Sequence, residues 1–161
     1  MTGLSNLLLI DYISPRCKNF IGVFSVDNLP SNHCLVLPCC LITNLSKSNE
    51  KGTHFVAIYI SSKNQLFYFD SFGFLPPIWN KPLLQFLKPW LKKNQFQTVL
   101  DRPIQNFNSL FCGWYCAAFC LIIGNKLMSI KHFIQIFEKK LLQKNDLIVT
   151  DIIKEIENTI L

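Results

Sequence analysis

Three of the seven cysteines in this 161-residue chain recur at every fourth position of one apolar run, at Cys112, Cys116 and Cys120. The polar stretch QNFNS lies before the first, and the helix-forming run WYCAAFCLII follows it. Unpaired N–H groups at a helix N-terminus favour negative charge and lower the pKa of a thiol there. Cys112 is therefore the candidate nucleophile, and Gly113 leaves room for a substrate backbone beside it. Cys116 and Cys120, one and two turns deeper, are predicted core residues.

A thiolate nucleophile needs a base and a residue that orients the base. His54 begins one predicted strand, THFVAIYI, and Asp70 ends the next, QLFYFD, with the polar SSKN between them. If this hairpin closes with a three-residue loop, His54 and Asp70 face each other with Cβ atoms ~5 Å apart. A loop one residue longer moves Asp70 to the opposite face, and the sequence leaves this register open.

Gln105 lies seven residues before Cys112 in the polar loop. Its side-chain amide can donate to a developing oxyanion together with the backbone N–H of Cys112. The sequence therefore predicts a thiol hydrolase built from His54, Asp70, Gln105 and Cys112.

The cysteines could also form two other kinds of site, which their spacing does not favour. A zinc site would draw on His33, Cys34, Cys39, Cys40 and the helix cysteines, but no C-x₂-C knuckle is present. Cys112 and Cys116 enclose three residues rather than two, so the spacing of a thioredoxin-type redox pair is absent. We predict no metal and no cofactor required for the chemistry.

The elements that must position these residues indicate an α+β chain. The apolar segment around Pro38 is predicted as either an edge strand or a buried irregular segment. Ser129 is the predicted N-cap of a helix with Ile130, Phe133, Ile134, Phe137 and Leu141 on one face. The other predicted elements are a helix over Leu4–Ile13, a strand over Phe20–Val26, a helix around Leu83, Leu84, Leu87 and Leu91, a short strand QTVL, the nucleophile helix ending near Gly124, and a helix over Asp146–Ile160.

The composition is that of one globular domain over residues 1–161, with 50% hydrophobic and 16% charged residues. The longest apolar run, Leu110–Ile123, is shorter than the roughly 20 residues of a membrane-spanning helix, and the N-terminus lacks the pattern of a secretory signal. Seven cysteines without a disulfide framework predict free thiols in a reducing compartment, the cytoplasm or nucleus.

The net charge of +6 comes from lysines spread over Lys81–Lys93 and Lys126–Lys144. This spread is typical of solvated helix faces, although it can also attract a polyanion such as DNA.

The segments GTHFVAIYI, FDSFGF and QNFNSLFCG, with the entry segment FIGVFSVDNLP, resemble the adenovirus maturation protease family, adenain, and its Polinton/Maverick relatives. In that family the order is His, acidic residue, Gln, Cys, with the Gln-to-Cys spacing seen here. The resemblance implies that His54 is the base, Asp70 its orienting acid, Gln105 an oxyanion-hole residue and Cys112 the nucleophile. It also implies a central mixed sheet flanked by helices, with the nucleophile at the start of a buried helix. Ubiquitin-like-protein proteases share this order.

The same resemblance implies a substrate and partners. It implies cleavage of capsid or core precursor polypeptides, near small residues such as glycine, during virion maturation in a virus or virus-like transposon. The enzyme is then expected as a monomer in the host cytoplasm or nucleus, or packaged in virions, with DNA or a viral peptide as activators. Two positions depart from the family: Phe55 replaces the usual tryptophan, and Pro103 replaces the cysteine that links an activating peptide.

Two alternatives to this function remain open. The first is a peptidase that acts after the Gly-Gly tail of a ubiquitin-like protein, using the same four residues. The second is a catalytically silent, basic module that binds nucleic acid or capsid protein.

Overall fold

A mixed four-stranded sheet organises the chain, which a computed structural model describes over residues 4–91 and 97–160. The strands follow chain order: β1 (Phe20–Ser25), β2 (Cys39–Asn44), β3 (Phe55–Ile60) and β4 (Leu66–Phe69). β1 runs parallel to β2, and the other neighbouring pairs are antiparallel. β2 and β3 are buried at every position, which explains why they read as continuous apolar runs in the sequence.

Helices cover both faces of this sheet. They are α1 (Asn6–Ile13), α2 (Lys81–Leu87), α3 (Cys112–Gly124), α4 (Ile130–Gln135) and α5 (Leu142–Ile160), with 3₁₀ turns at Val26–Asn28, Asn32–Cys34 and Lys88–Trp90. α3 is almost wholly buried and packs against β3 in the larger of two apolar clusters. α2 belongs to the smaller cluster, on the other side of the sheet. The predicted α+β class with a central mixed sheet is confirmed.

The segment around Pro38 differs from both predicted alternatives. β2 is an inner strand, paired with β1 on one side and β3 on the other. Pro38 immediately precedes the strand, so its missing N–H removes no hydrogen bond from the β2 ladder.

The helix predicted from Ser129 is correct at its start and wrong in its length. The Ser129 side chain accepts the N–H of His132, as an N-cap does, but α4 ends at Gln135. Beyond it, the side chain of Asn145 accepts the N–H of Glu138 and donates to its carbonyl, which holds the chain in a bend. The last helix therefore begins at Leu142 rather than Asp146.

The predicted strand QTVL forms a single parallel bridge between Thr98 and Tyr68. Lys92 and Lys93 of the predicted basic stretch lie outside the described residues. Within residues 4–91 and 97–160, no helix has the combination of length and apolar character needed to cross a membrane.

Candidate active site

The β3–β4 hairpin sets the relation between His54 and Asp70. Ile60 lies opposite Leu66, and the N–H of Ser61 donates to the carbonyl of Gln65 at 2.9 Å. The turn between Ser61 and Gln65 therefore has three residues, the loop length for which the sequence places His54 directly opposite Asp70. The turn lies one position later in the chain than that pairing needs. Continuing the register, His54 and Asp70 share a face as diagonal neighbours instead of facing each other directly.

His54 and Asp70 are joined by a short charge-assisted hydrogen bond. His54 Nε2 lies 2.9 Å from Asp70 Oδ1, and the backbone N–H of Phe72 donates to the same oxygen at 2.8 Å. The side chain of Asp70 is 3% exposed and that of His54 is 13% exposed. With Nε2–H donated to a buried carboxylate, the ring presents Nδ1 as the second nitrogen of the base.

Cys112 is the first residue of α3, and its thiol interacts with the His54 side chain in a shared cavity. Burial by itself raises the pKa of this thiol, but the His54 bond, the backbone N–H groups of Phe55 and Gly113, and the charge of His54 together lower it below the usual value. Burial also opposes a charged His54, yet its bonds to Asp70 and Cys112 raise the imidazole pKa to about 9. Both shifts favour the charged forms, thiolate for Cys112 and imidazolium for His54.

The other two helix cysteines lack this environment. Cys116 and Cys120 are fully buried, and burial raises the pKa of each thiol. Of the cysteines in α3, only the one at the helix start touches a base. Across the described ranges, no group of three or more His, Cys, Asp or Glu side chains is placed to hold a metal ion.

Gln105 is fully buried and holds the loop that leads to Cys112. Its Oε1 accepts the hydroxyl of Ser71 at 2.6 Å, and its Nε2 donates to the carbonyl of Ser109 at 2.8 Å. The backbone N–H of Gln105 also donates to the carbonyl of Ser71 at 3.0 Å. The Gln105 amide is thus held between Ser71, just after β4, and Ser109, in the loop before α3. Its oxyanion role stays a prediction.

Asp146, near the start of α5, supports the same loop and was not singled out from the sequence. It accepts the hydroxyl of Ser109 at 2.7 Å and that of Tyr115 at 2.9 Å. Ser109 in turn accepts the N–H of Phe111 through its hydroxyl oxygen, at 3.3 Å. One carboxylate therefore links α5, α3 and the segment before the nucleophile.

Asn44, at the end of β2, supports the residues before His54 and was likewise missed. Its Oδ1 accepts the N–H groups of Ser46 at 3.0 Å and Thr53 at 3.2 Å. The carbonyl of His54 accepts the N–H of Leu45 at 2.9 Å. A polar side chain at the end of an otherwise apolar strand was the one sequence signal for this role.

A cavity of about 500 Å³ opens over Cys112 and His54. It is lined by Leu4, Ser5, Asn6, Asn44, Gly52, Thr53, His54, Phe55, Phe72, Phe107, Ser109, Leu110 and Cys112. The prediction that Gly113 leaves room for a substrate backbone is wrong, because protein side chains pack against this glycine. A Cβ on it would lie 3.3 Å from Leu4 Cβ and 3.6 Å from both Leu9 Cδ1 and Phe55 Cδ2.

No protein-family model matches the chain, and no curated protein matches it. Solved structures of the SUMO protease Ulp1 share its fold. The form with its catalytic cysteine oxidised to a sulfinic acid is 18% identical, with a TM-score of 0.50, over 94% of this chain and 79% of that one. The sulfenic acid form is 16% identical, with a TM-score of 0.50, over 99% and 80%.

A further match is the ASFV pS273R protease, 22% identical with a TM-score of 0.41 over 67% of this chain. The chain spans 43% of the length of that protein. The mixed sheet with its flanking helices is therefore the fold of Ulp1-like cysteine proteases.

Proposed function

We propose that this chain is a cysteine endopeptidase in which Cys112 is the nucleophile, His54 the proton carrier and Asp70 its orienting partner. One observation carries the proposal: Cys112, at a helix start, shares a cavity with a histidine that a buried carboxylate holds at 2.9 Å, and that histidine lowers the pKa of the thiol. A nucleophile of shifted pKa, a base held by a carboxylate and an open cavity beside them is the combination expected of a catalytic site.

The arrangement accounts for both halves of peptide hydrolysis. The Cys112 thiolate attacks the scissile carbonyl carbon, a C–S bond forms, and an electron pair moves onto the oxygen. The Cys112 backbone N–H and the Gln105 amide are the proposed donors to that oxyanion. When the intermediate collapses the C–N bond breaks, His54 gives its proton to the leaving amine, and a thioester remains.

Water completes the cycle. His54, now neutral, takes a proton from water, and the resulting hydroxide equivalent attacks the thioester carbonyl. The C–S bond breaks, the carboxylic acid product leaves, and the thiolate–imidazolium pair is restored. Asp70 keeps the ring orientation constant through both steps because its carboxylate stays buried against Nε2–H.

The substrates we propose are capsid or core precursor polypeptides of a virus or virus-like transposon. The resemblance of FDSFGF and QNFNSLFCG to the adenain family supports this choice. On that basis the enzyme works inside the host cell or in the virion, and DNA or a viral peptide is its proposed activator. The second candidate is a peptidase for ubiquitin-like proteins, which is favoured by the fold shared with the SUMO protease Ulp1.

Cleavage assays separate these candidates. We expect the wild type to cut Gly-containing precursor polypeptides, Cys112→Ala to cut nothing, and Cys34→Ala, at an exposed cysteine, to match the wild type. Release of a ubiquitin-like protein from its tail extension, without cleavage of precursors, would favour the second candidate. A Cys112 no more reactive than Cys34, in a chain that binds DNA and cuts neither substrate class, would instead indicate a silent binding module.

A further inference from the structure

Three phenylalanines form a stacked group beside the catalytic histidine, which we call the aromatic platform: Phe72, Phe74 and Phe107. The Phe72 ring stacks on His54 with centroids 4.6 Å apart and an interplanar angle of 18°. Phe107 stacks on Phe72 at 5.1 Å, and Phe74 lies 6.0 Å from Phe107 and 6.1 Å from Phe72. The platform joins the loop after Asp70 to the loop before Cys112.

The stability of the fold does not explain why the two outer rings of the platform, Phe74 and Phe107, lie at the surface. Phe74 is 55% exposed and Phe107 is 58% exposed, so burial stabilises them little. Leu110, on the same loop as Phe107, is also exposed. Large apolar side chains grouped at the surface are typical of a binding site, and rings held in a stack are already ordered before a ligand arrives.

The platform is continuous with the catalytic cavity. Phe72, Phe107 and Leu110 line the cavity together with His54 and Cys112. The only ionisable side chains among its lining residues are those of His54 and Cys112, which are engaged with each other. A charged substrate side chain therefore finds no partner of opposite charge here, whereas an apolar one finds ring faces.

The direction of proton transfer assigns the platform to one side of the scissile bond. The leaving nitrogen must approach His54 to accept a proton, so the residues that follow it pass beside the ring on which Phe72 stacks. Two extended residues span roughly 7 Å. The ring centroids of the platform lie at similar distances from His54: Phe72 is 4.6 Å away, and Phe107 is a further 5.1 Å from Phe72. The first or second residue after the scissile bond can therefore reach the platform.

We infer that the aromatic platform binds a large apolar side chain, aromatic above all, at the first or second residue after the scissile bond. This inference rests on the proposed peptidase function and adds a specificity determinant to it. The side chain would stack on Phe107 or Phe74 in the offset or edge-to-face geometry that aromatic pairs adopt.

The test is cleavage-site profiling with a peptide library digested from a whole proteome, read by mass spectrometry. We expect wild-type cleavage sites to be enriched in Phe, Tyr or Leu at the first or second position after the cut. Phe107→Ala should reduce that preference about tenfold, and Phe107→Tyr should restore most of it. Leu147→Ala, a similarly exposed apolar residue on α5, is the matched control and should leave the profile unchanged.

The outcomes distinguish failure of the platform from failure of the peptidase. Cleavage without an apolar preference, with a preference only before the cut, or with an unchanged profile in Phe107→Ala would overturn the platform and leave the peptidase. If the wild type cuts nothing, binding of two hexapeptides that differ by Phe or Ala is measured on Cys112→Ala. Tighter binding of the Phe peptide, lost in Cys112→Ala/Phe107→Ala, would support the platform without the peptidase; equal binding would overturn it.

Discussion

At the residue scale, the reactivity of Cys112 depends on its proton partner rather than on its helix alone. Cys116 and Cys120 belong to the same helix and have raised pKa values, because burial is the largest effect on each thiol and the Cys40 contact that lowers the pKa of Cys120 does not offset it. Cys112 is also buried, but His54 and two backbone N–H groups reverse the direction of the shift. His54, a side chain outside α3, together with two backbone N–H groups, therefore distinguishes Cys112 from the two other regularly spaced thiols.

Alkylation of Cys112 by iodoacetamide should reveal this dependence as a function of pH. A lowered thiol pKa means that more thiolate persists below the usual titration near about 8.5, so Cys112 should be labelled faster than Cys34 at about pH 6. In His54→Ala the bond and the charge are lost while burial remains, so the pKa should rise and labelling at that pH should slow at least tenfold. Mapping by mass spectrometry provides an internal reference, because Cys34 is exposed in the same molecule.

The alkaline side tests His54 directly. Its pKa of about 9 means that the imidazolium, the proton donor to the leaving amine, is lost as pH rises through that value. Peptidase activity should therefore decline above about pH 9 while Cys112 stays alkylatable. A Cys112 that is no more reactive than Cys34 at about pH 6 would contradict the ion pair.

At the element scale, one carboxylate connects α5 to α3 and to the segment before Cys112. Asp146→Ala should lower the free energy of unfolding by about 1–3 kcal/mol, because the hydroxyls of Ser109 and Tyr115 lose a charged partner. As a positioning residue, Asp146 should affect kcat more than KM, because Ser109, which it holds, also accepts a hydrogen bond from Gln105, the proposed oxyanion donor. Urea unfolding and steady-state kinetics measure the two effects.

Asp151→Ala on the same helix is the control for that prediction, because Asp151 is exposed. It should change neither quantity appreciably. A loss of kcat that is equally large in both variants would show that helix charge, rather than the Asp146 contacts, is responsible.

Gly73 tests how the loop after Asp70 is held. Its φ of +72° is in the left-handed region, and a Cβ there would collide with the backbone carbonyl carbon of Arg102. Gly73→Ala should therefore lower the free energy of unfolding by at least about 1 kcal/mol in urea unfolding. Asn64→Gly, also at positive φ but in an open turn, should change it little, and equal effects would contradict the collision.

The sequence predicts which candidate site residues lie together better than it predicts the residues that hold them. His54, Asp70 and Cys112 are recognisable by type and by position at element ends, because that chemistry is specific to few residues. Asp146 acts on Ser109 from another element, and this contact exists only once α5 packs on α3. Such long-range hydrogen bonds leave no periodic signal in one sequence.

Boundaries set by tertiary contacts were missed for the same reason. The segment from Ser129 keeps an apolar helical period beyond Gln135, yet the chain bends there because Asn145 bonds the backbone of Glu138. The hairpin register is another case: the sequence left open whether His54 and Asp70 share a face, and only the observed turn gives the shared face and the two-residue offset between them.

At the scale of the whole molecule, β2 connects the two apolar clusters. Its side chains alternate, so Cys39 and Leu41 belong to the cluster around α2, whereas Cys40 and Ile42 belong to the cluster around α3. If β2 detached from the sheet, apolar side chains of both clusters would be exposed to water. We therefore predict that residues 1–161 behave as one cooperative domain.

The buried cysteines make this prediction measurable without any new probe. Cys39 reports on one face of the sheet, and Cys17, Cys40, Cys116 and Cys120 report on the other. Pulse alkylation across a urea series, read by mass spectrometry, should show these thiols becoming reactive together, while Cys34 reacts throughout. Reaction of Cys39 at a clearly lower urea concentration than Cys116 would mean that the α2 face opens independently. Because α3 carries Cys112, coincident exposure would also tie the nucleophile to the stability of the entire sheet.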